Sequence, residues 1–99
     1  MDNIVNVIEI VEEGSTFTLE FRVSNPLRVS YKGKHWPKTT QCLVYANGRL
    51  IGFSEVIKHV NDIDNQKLAN KLAAKKAFDV TYLKNWKSLR TKFWNKILN

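Results

Sequence analysis

Residues 39–57 read TTQCLVYANGRLIGFSEVI, and the Asn47-Gly48 pair at their centre decides the fold. A two-residue type I′ turn needs positive φ at both central positions, which asparagine tolerates and glycine adopts freely, so 39–46 and 49–57 are predicted to fold back as a β-hairpin. Counting outward from such a loop pairs Tyr45 with Leu50, Val44 with Ile51 and Cys42 with Phe53. Apolar side chains then stand on both faces of the sheet near the turn, and one of those faces is open to helices.

Upstream, Phe17, Leu19, Phe21 and Val23 alternate with Thr18, Glu20 and Arg22, the pattern of a strand with one buried face. The β-branched stretch 4–11 pairs with it through Glu12-Glu13-Gly14-Ser15, a connection of hairpin length. Asn25-Pro26 interrupts the ladder, because proline has no N–H to donate, and Leu27, Val29 and Tyr31 resume alternation beyond a bend or bulge. Downstream of His59 the period changes from two to about 3.6. Leu68, Ala69, Leu72, Ala73 and Ala77 make one helical face, with Asp64 as N-cap and Ile63 stapled against Leu68. A second helix is expected from near Thr81, with Tyr82, Trp86, Leu89, Phe93 and Ile97 in a narrow arc that Leu83, Trp94 and Leu98 broaden. The expectation is a single domain over 1–99 of α+β class: an antiparallel sheet of four or five strands followed by two C-terminal helices packed on one face.

Composition excludes two classes. With 43% hydrophobic and 11% aromatic residues the chain can build a core, which argues against disorder. No apolar run approaches the length of about 20 residues that a membrane span requires. Sixteen Lys and Arg against nine Asp and Glu give a net charge of +7, which favours polyanionic partners. The charge is segregated. Residues 1–27 hold five acids and Arg22, whereas 67–99 hold nine bases and only Asp79. The single Cys42 allows no internal disulfide, and acids stand where a signal peptide needs a basic leader, so the chain reads as cytoplasmic.

Signs of catalysis are thin. His35 and His59 lie far apart with one cysteine in the chain, so no metal-ligand spacing can be drawn, and no cofactor is implied. Ser54, His59 and Asp62 lie close in sequence without a nucleophile elbow, and read more simply as a strand end followed by a polar connection. The four glycines are dispersed, which rules out a phosphate-cradling loop. The chain is read as a non-enzyme.

Cations supply the better candidates. Lys67, Lys71 and Lys75 stand at i, i+4 and i+8 and form one stripe beside the apolar face. Steps of roughly 6 Å between such neighbours can track phosphates. The segment 31–38 interleaves Lys32, Lys34 and Lys38 with Tyr31, His35 and Trp36. Rings can stack bases while ammonium groups hold phosphate; equally, Trp36 before Pro37 can cover the sheet edge. The segment 82–99, with Trp86 and Trp94 among five cations, resembles a membrane-surface helix, although a small domain needs that aromatic stripe as core.

From Thr40 to Phe78 the chain resembles the carboxy-terminal half of a double-stranded-RNA-binding domain. The resemblance rests on Asn47-Gly48, Gly52, Lys67-Leu68-Ala69 and Ala73-Ala74-Lys75-Lys76-Ala77-Phe78. It implies that lysines opening the last helix hold phosphates across the major groove, with Lys67 at a matching position. The chain departs from that pattern at Gln66 and Asn70, where lysine is expected, and in lacking a helix before the strands. A second resemblance is to small accessory proteins of tailed bacteriophages. It rests on His59-Val60-Asn61-Asp62-Ile63-Asp64, Lys71-Leu72-Ala73, Arg90-Thr91-Lys92-Phe93-Trp94 and Trp36-Pro37-Lys38-Thr39-Thr40. It implies a setting in a bacterial host cytoplasm and binding to host machinery, including CRISPR nucleases.

The sequence therefore points to a nucleic-acid-binding domain that uses the basic helix and the basic-aromatic loop. The alternative is a phage counter-defence inhibitor of a host nuclease or ribonucleoprotein. The β-branched strand near 4–11 could also pair with a second copy of the chain as a homodimer.

Overall fold

The structure is a computed structural model that describes residues 2–24, 38–58 and 66–98. Strands β1 (Asp2–Glu12), β2 (Ser15–Ser24), β3 (Lys38–Ala46) and β4 (Arg49–Lys58) form one antiparallel sheet in the order β1-β2-β3-β4. They are followed by α1 (Gln66–Asp79), a 3₁₀ turn (Tyr82–Asn85) and α2 (Lys87–Leu98). This is the α+β arrangement expected, with four strands and two carboxy-terminal helices among the described residues. The bend at Asn25-Pro26, the alternation at Leu27, Val29 and Tyr31, and the Asp64 cap with its Ile63 staple lie outside the described residues.

Both hairpins close through two-residue turns with positive φ at each central position: Glu13 (53°) and Gly14 (78°), then Asn47 (51°) and Gly48 (82°). Asn47 does more than turn the chain. Its N–H donates to the Thr16 carbonyl at 2.7 Å and its Oδ1 accepts from the Thr16 N–H at 2.9 Å, so the second hairpin is fastened to β2 beside the first turn. The alternation read in β2 is realised. Phe17, Leu19, Phe21 and Val23 are buried, and they face Ala46, Val44, Cys42 and Thr40 across the β2–β3 ladder.

The register of the β3–β4 hairpin differs from simple counting. Tyr45 does pair with Leu50, but the ladder then shifts by one residue, so Val44 faces Gly52 and Cys42 faces Ser54 instead of Ile51 and Phe53. A bulge of this kind lets Ile51 pack against the core, while reassigning every later side chain of β4 to the opposite face. Gly52 and Ser54 consequently face the helices. Phe53 and Ile57 face away, each about half exposed.

That exchange sets how α1 docks. Its buried face is Asn70, Ala73, Ala74, Ala77 and Phe78, mostly small residues laid over small residues of β4. A Cβ placed on Gly52 would stand 2.5 Å from the Thr81 methyl and 2.9 Å from the Ala77 carbonyl oxygen. The Ser54 hydroxyl donates to the Ala73 carbonyl in the same contact. So close an approach leaves no room for leucine. Leu68 and Leu72, expected on the buried face, are 49% and 46% exposed. In their place Asn70 is turned inward, its Oδ1 accepting from Gln66 Nε2, which also donates to Thr40 Oγ1.

The second helix begins later than its periodicity suggests. Thr81 is the N-cap of the 3₁₀ turn, with Oγ1 donating to the Phe78 carbonyl and accepting from the Leu83 N–H, and α2 starts only at Lys87. Different turn geometry on either side of Trp86 breaks the single arc. Leu83, Leu89, Phe93 and Ile97 are buried, whereas Tyr82 is 70% exposed. Trp86 packs edge-on against Phe17, with centroids 5.3 Å apart.

Gly52→Ala is expected to destabilise the domain by about 1–3 kcal/mol in urea denaturation, because the carbonyl of Ala77 belongs to a helix and cannot step aside. Gly14 is open on all sides but held at positive φ. Its replacement by alanine is expected to cost only about 1 kcal/mol.

Candidate nucleic-acid interface

The three lysines singled out on α1 remain together in the fold. Four-residue steps advance slightly more than one turn, so Lys67, Lys71 and Lys75 form a slanting row, exposed at both ends and half-buried at Lys71. The row runs on the flank facing α2. Phe78 lies one turn beyond Lys75 on that flank. Its ring touches both Phe93 and Trp94, each at 5.6 Å between centroids. Lys76 lies on the opposite flank, where its ammonium donates to the Glu55 carbonyl of edge strand β4.

On α2 the cations divide by role. Lys92 pairs with Glu12 at 2.6 Å and ties the helix to the β1–β2 hairpin. Arg90 donates from one terminal nitrogen to the Lys84 carbonyl at 2.5 Å, and its guanidinium carbon lies 5.6 Å from the centre of the Trp94 ring. Among the described residues, the ammonium groups of Lys67, Lys71, Lys75, Lys84, Lys87 and Lys96 have no acidic partner. Their charge faces solvent. The outer surface of the helical layer is therefore a field of uncompensated positive charge.

The loop candidates Lys32, Lys34 and Trp36 lie outside the described residues, as does the side chain of Lys38, which opens β3. Gln66 and Asn70, where the resemblance to a double-stranded-RNA-binding domain leads one to expect lysine, bond α1 to Thr40 of the sheet. Sequence reasoning sets Arg90 and Trp94 in the 82–99 segment, weighed there as a membrane-surface helix or as core, and does not pair the two. Spacing marks Trp94 as core and Arg90 as one cation among many, and only the helix pairing reveals that Trp94, with Arg90 over its ring, meets Phe78 at the end of the lysine row. The aromatic stripe of the 82–99 segment is core at Leu89, Phe93 and Ile97, and no helix among the described residues is long and apolar enough to cross a membrane.

The face of the sheet away from the helices has a different chemistry. It carries Val7, Leu50, Phe53 and Ile57, each about half exposed, among Glu9, Glu20 and Glu55. Glu20 accepts from Arg22 at 3.1 Å and from the Tyr45 hydroxyl at 3.2 Å. The Tyr45 phenol is held above its ordinary range, first by desolvation and then by the charge and hydrogen bond of Glu20, with Arg22 opposing. Glu55 accepts from Gln41. Its carboxylates contrast with the cations of the helical layer.

Chemistry at the nucleophiles is restrained. The Ser54 hydroxyl is committed to the Ala73 carbonyl, and His59 and Asp62 lie outside the described residues. Cys42 is fully buried, and desolvation pushes its thiol up to about 12. Among the described residues no group of three or more His, Cys, Asp or Glu side chains could hold a metal ion. Comparison of the chain with protein-family models, curated proteins and solved structures returns no match.

Cys42 is expected to react with a thiol reagent at pH 8 about a thousandfold more slowly in the folded protein than in denaturant, read as the labelling rate. Between its ordinary value of 9.0 and about 12 the unfolded thiol ionises while the folded one keeps its proton. This group therefore lowers stability as pH rises through that window and is neutral below it.

Proposed function

We propose that this protein is a non-enzymatic nucleic-acid-binding domain that contacts phosphates through the basic helical layer, with Lys67, Lys71 and Lys75 as the principal contacts. The observation that supports it is the unpartnered lysine row on the α2-facing flank of α1, within a helical segment that holds nine of the sixteen Lys and Arg residues and one of the nine acids. Each ammonium that meets a phosphate releases condensed counterions, so affinity falls steeply with salt. Lys32, Lys34, Lys38 and Trp36 extend the same reading to the basic-aromatic segment 31–38, where rings can stack bases between phosphate contacts.

A gel-shift series with double-stranded RNA, duplex DNA and single strands tests this reading. Binding below ~10 μM at about 50 mM salt is expected for at least one of them, and silence from all would remove the reading. Replacing Lys67, Lys71 and Lys75 by Gln is expected to lower the slope of log affinity against log salt by about 2–3, roughly 0.7–0.9 per lost contact.

The sheet face away from the helices favours a second reading, in which the protein is a phage counter-defence inhibitor that docks on a host nuclease or ribonucleoprotein. Phe53, Leu50 and Ile57 are exposed there, and they suit a protein surface better than a phosphate backbone. A stoichiometric host protein retained after nuclease treatment of a lysate, and lost on Phe53→Glu, is the expected result; loss of all partners on nuclease treatment would leave only the first reading.

A further inference from the structure

The seam between α1 and α2 combines elements that a row of lysines alone does not. Trp94 is half-buried, with Phe78 against it on the core side and the Arg90 guanidinium over its ring. Arg90 is itself held by the Lys84 carbonyl, so the planar pair is ordered before any ligand arrives. Lys75 precedes Phe78 by three residues on α1 and Lys71 precedes Lys75 by four, which sets both lysines on the flank of α1 that ends at Phe78, the residue in contact with the indole. Flat cationic and aromatic surfaces beside a line of point charges form a platform with a phosphate track.

We propose that the ligand of the helical layer is single-stranded nucleic acid, with a base stacked on the Arg90–Trp94 pair and the adjoining phosphates on Lys71 and Lys75. This rests on the nucleic-acid reading and narrows it. A duplex keeps its base faces within its own stack and offers this platform nothing, whereas an unpaired strand exposes them, and guanidinium and indole planes both accept bases.

The test compares a 15-nucleotide oligo(dT) with a 15-base-pair duplex by fluorescence anisotropy at about 50 mM salt, using the whole chain and its Trp94→Leu and Arg90→Lys variants. Oligo(dT) is expected to bind the unaltered protein at least tenfold more tightly. Each variant is expected to weaken oligo(dT) by roughly 5- to 100-fold while changing duplex affinity less than twofold. Equal binding of both ligands, or equal losses for both in the variants, overturns the single-strand assignment and leaves the phosphate-contact reading standing. Absence of binding to either ligand removes both. Because Trp94 packs on Phe78 and its replacement can loosen the fold, the unaltered protein is also irradiated with oligo(5-bromodeoxyuridine). A cross-link on Trp94 is expected, and cross-links confined to other residues overturn the assignment.

Discussion

The contact on which the rest of this architecture depends is the approach of α1 to β4 at Gly52 and Ser54. A glycine without Cβ lets the Ala77 carbonyl and the Thr81 methyl come closer than any other residue would allow. The serine hydroxyl answers the Ala73 carbonyl across the same gap. Close packing at this point selects the alanine face of the helix, because dispersion and area burial are lost if larger side chains hold the elements apart. It also places Thr81, whose hydroxyl bonds to both sides of the turn, where the chain must leave α1 and begin the 3₁₀ segment.

From that contact the orientation of the surface follows. Once Ala73 and Ala77 face β4, helix geometry carries Leu68 and Leu72 outward, puts Lys76 at the β4 edge and sends the Lys67, Lys71, Lys75 row to the flank facing α2. Phe78, at the end of that row, then meets Phe93 and Trp94 and closes the core between the helices. The cationic row and the aromatic seam are thus consequences of one packing choice. Charge segregation along the chain becomes segregation between layers, with the basic helices on one side of the sheet and an apolar face bearing carboxylates on the other.

Much of the fold is legible because it is written in local patterns. Period-two alternation in β2 and the Asn-Gly and Glu-Gly turns act over a few residues, and each appears in the structure where the pattern puts it. The readings that fail depend on contacts between elements. A bulge at Ile51 leaves no mark in a run of apolar residues that is consistent with either register. Periodicity misassigns the α1 face because leucine outranks alanine in hydrophobicity, whereas the space above Gly52 admits only the smaller residue. A single arc through Tyr82 and Trp86 requires unbroken α geometry that Thr81 does not permit.

By itself, then, the sequence determined the α+β class, the two hairpins with their turns, and the concentration of cations in the last third of the chain, since turn chemistry, periodicity and charge are properties of neighbouring residues. Tertiary structure alone decided which side of α1 is buried, which of its lysines remain unpartnered, and that Trp94, with Arg90 over its ring, meets Phe78 at the end of their row. Those outcomes turn on the clearance above one glycine and on the meeting of residues far apart in the chain, neither of which any local pattern records.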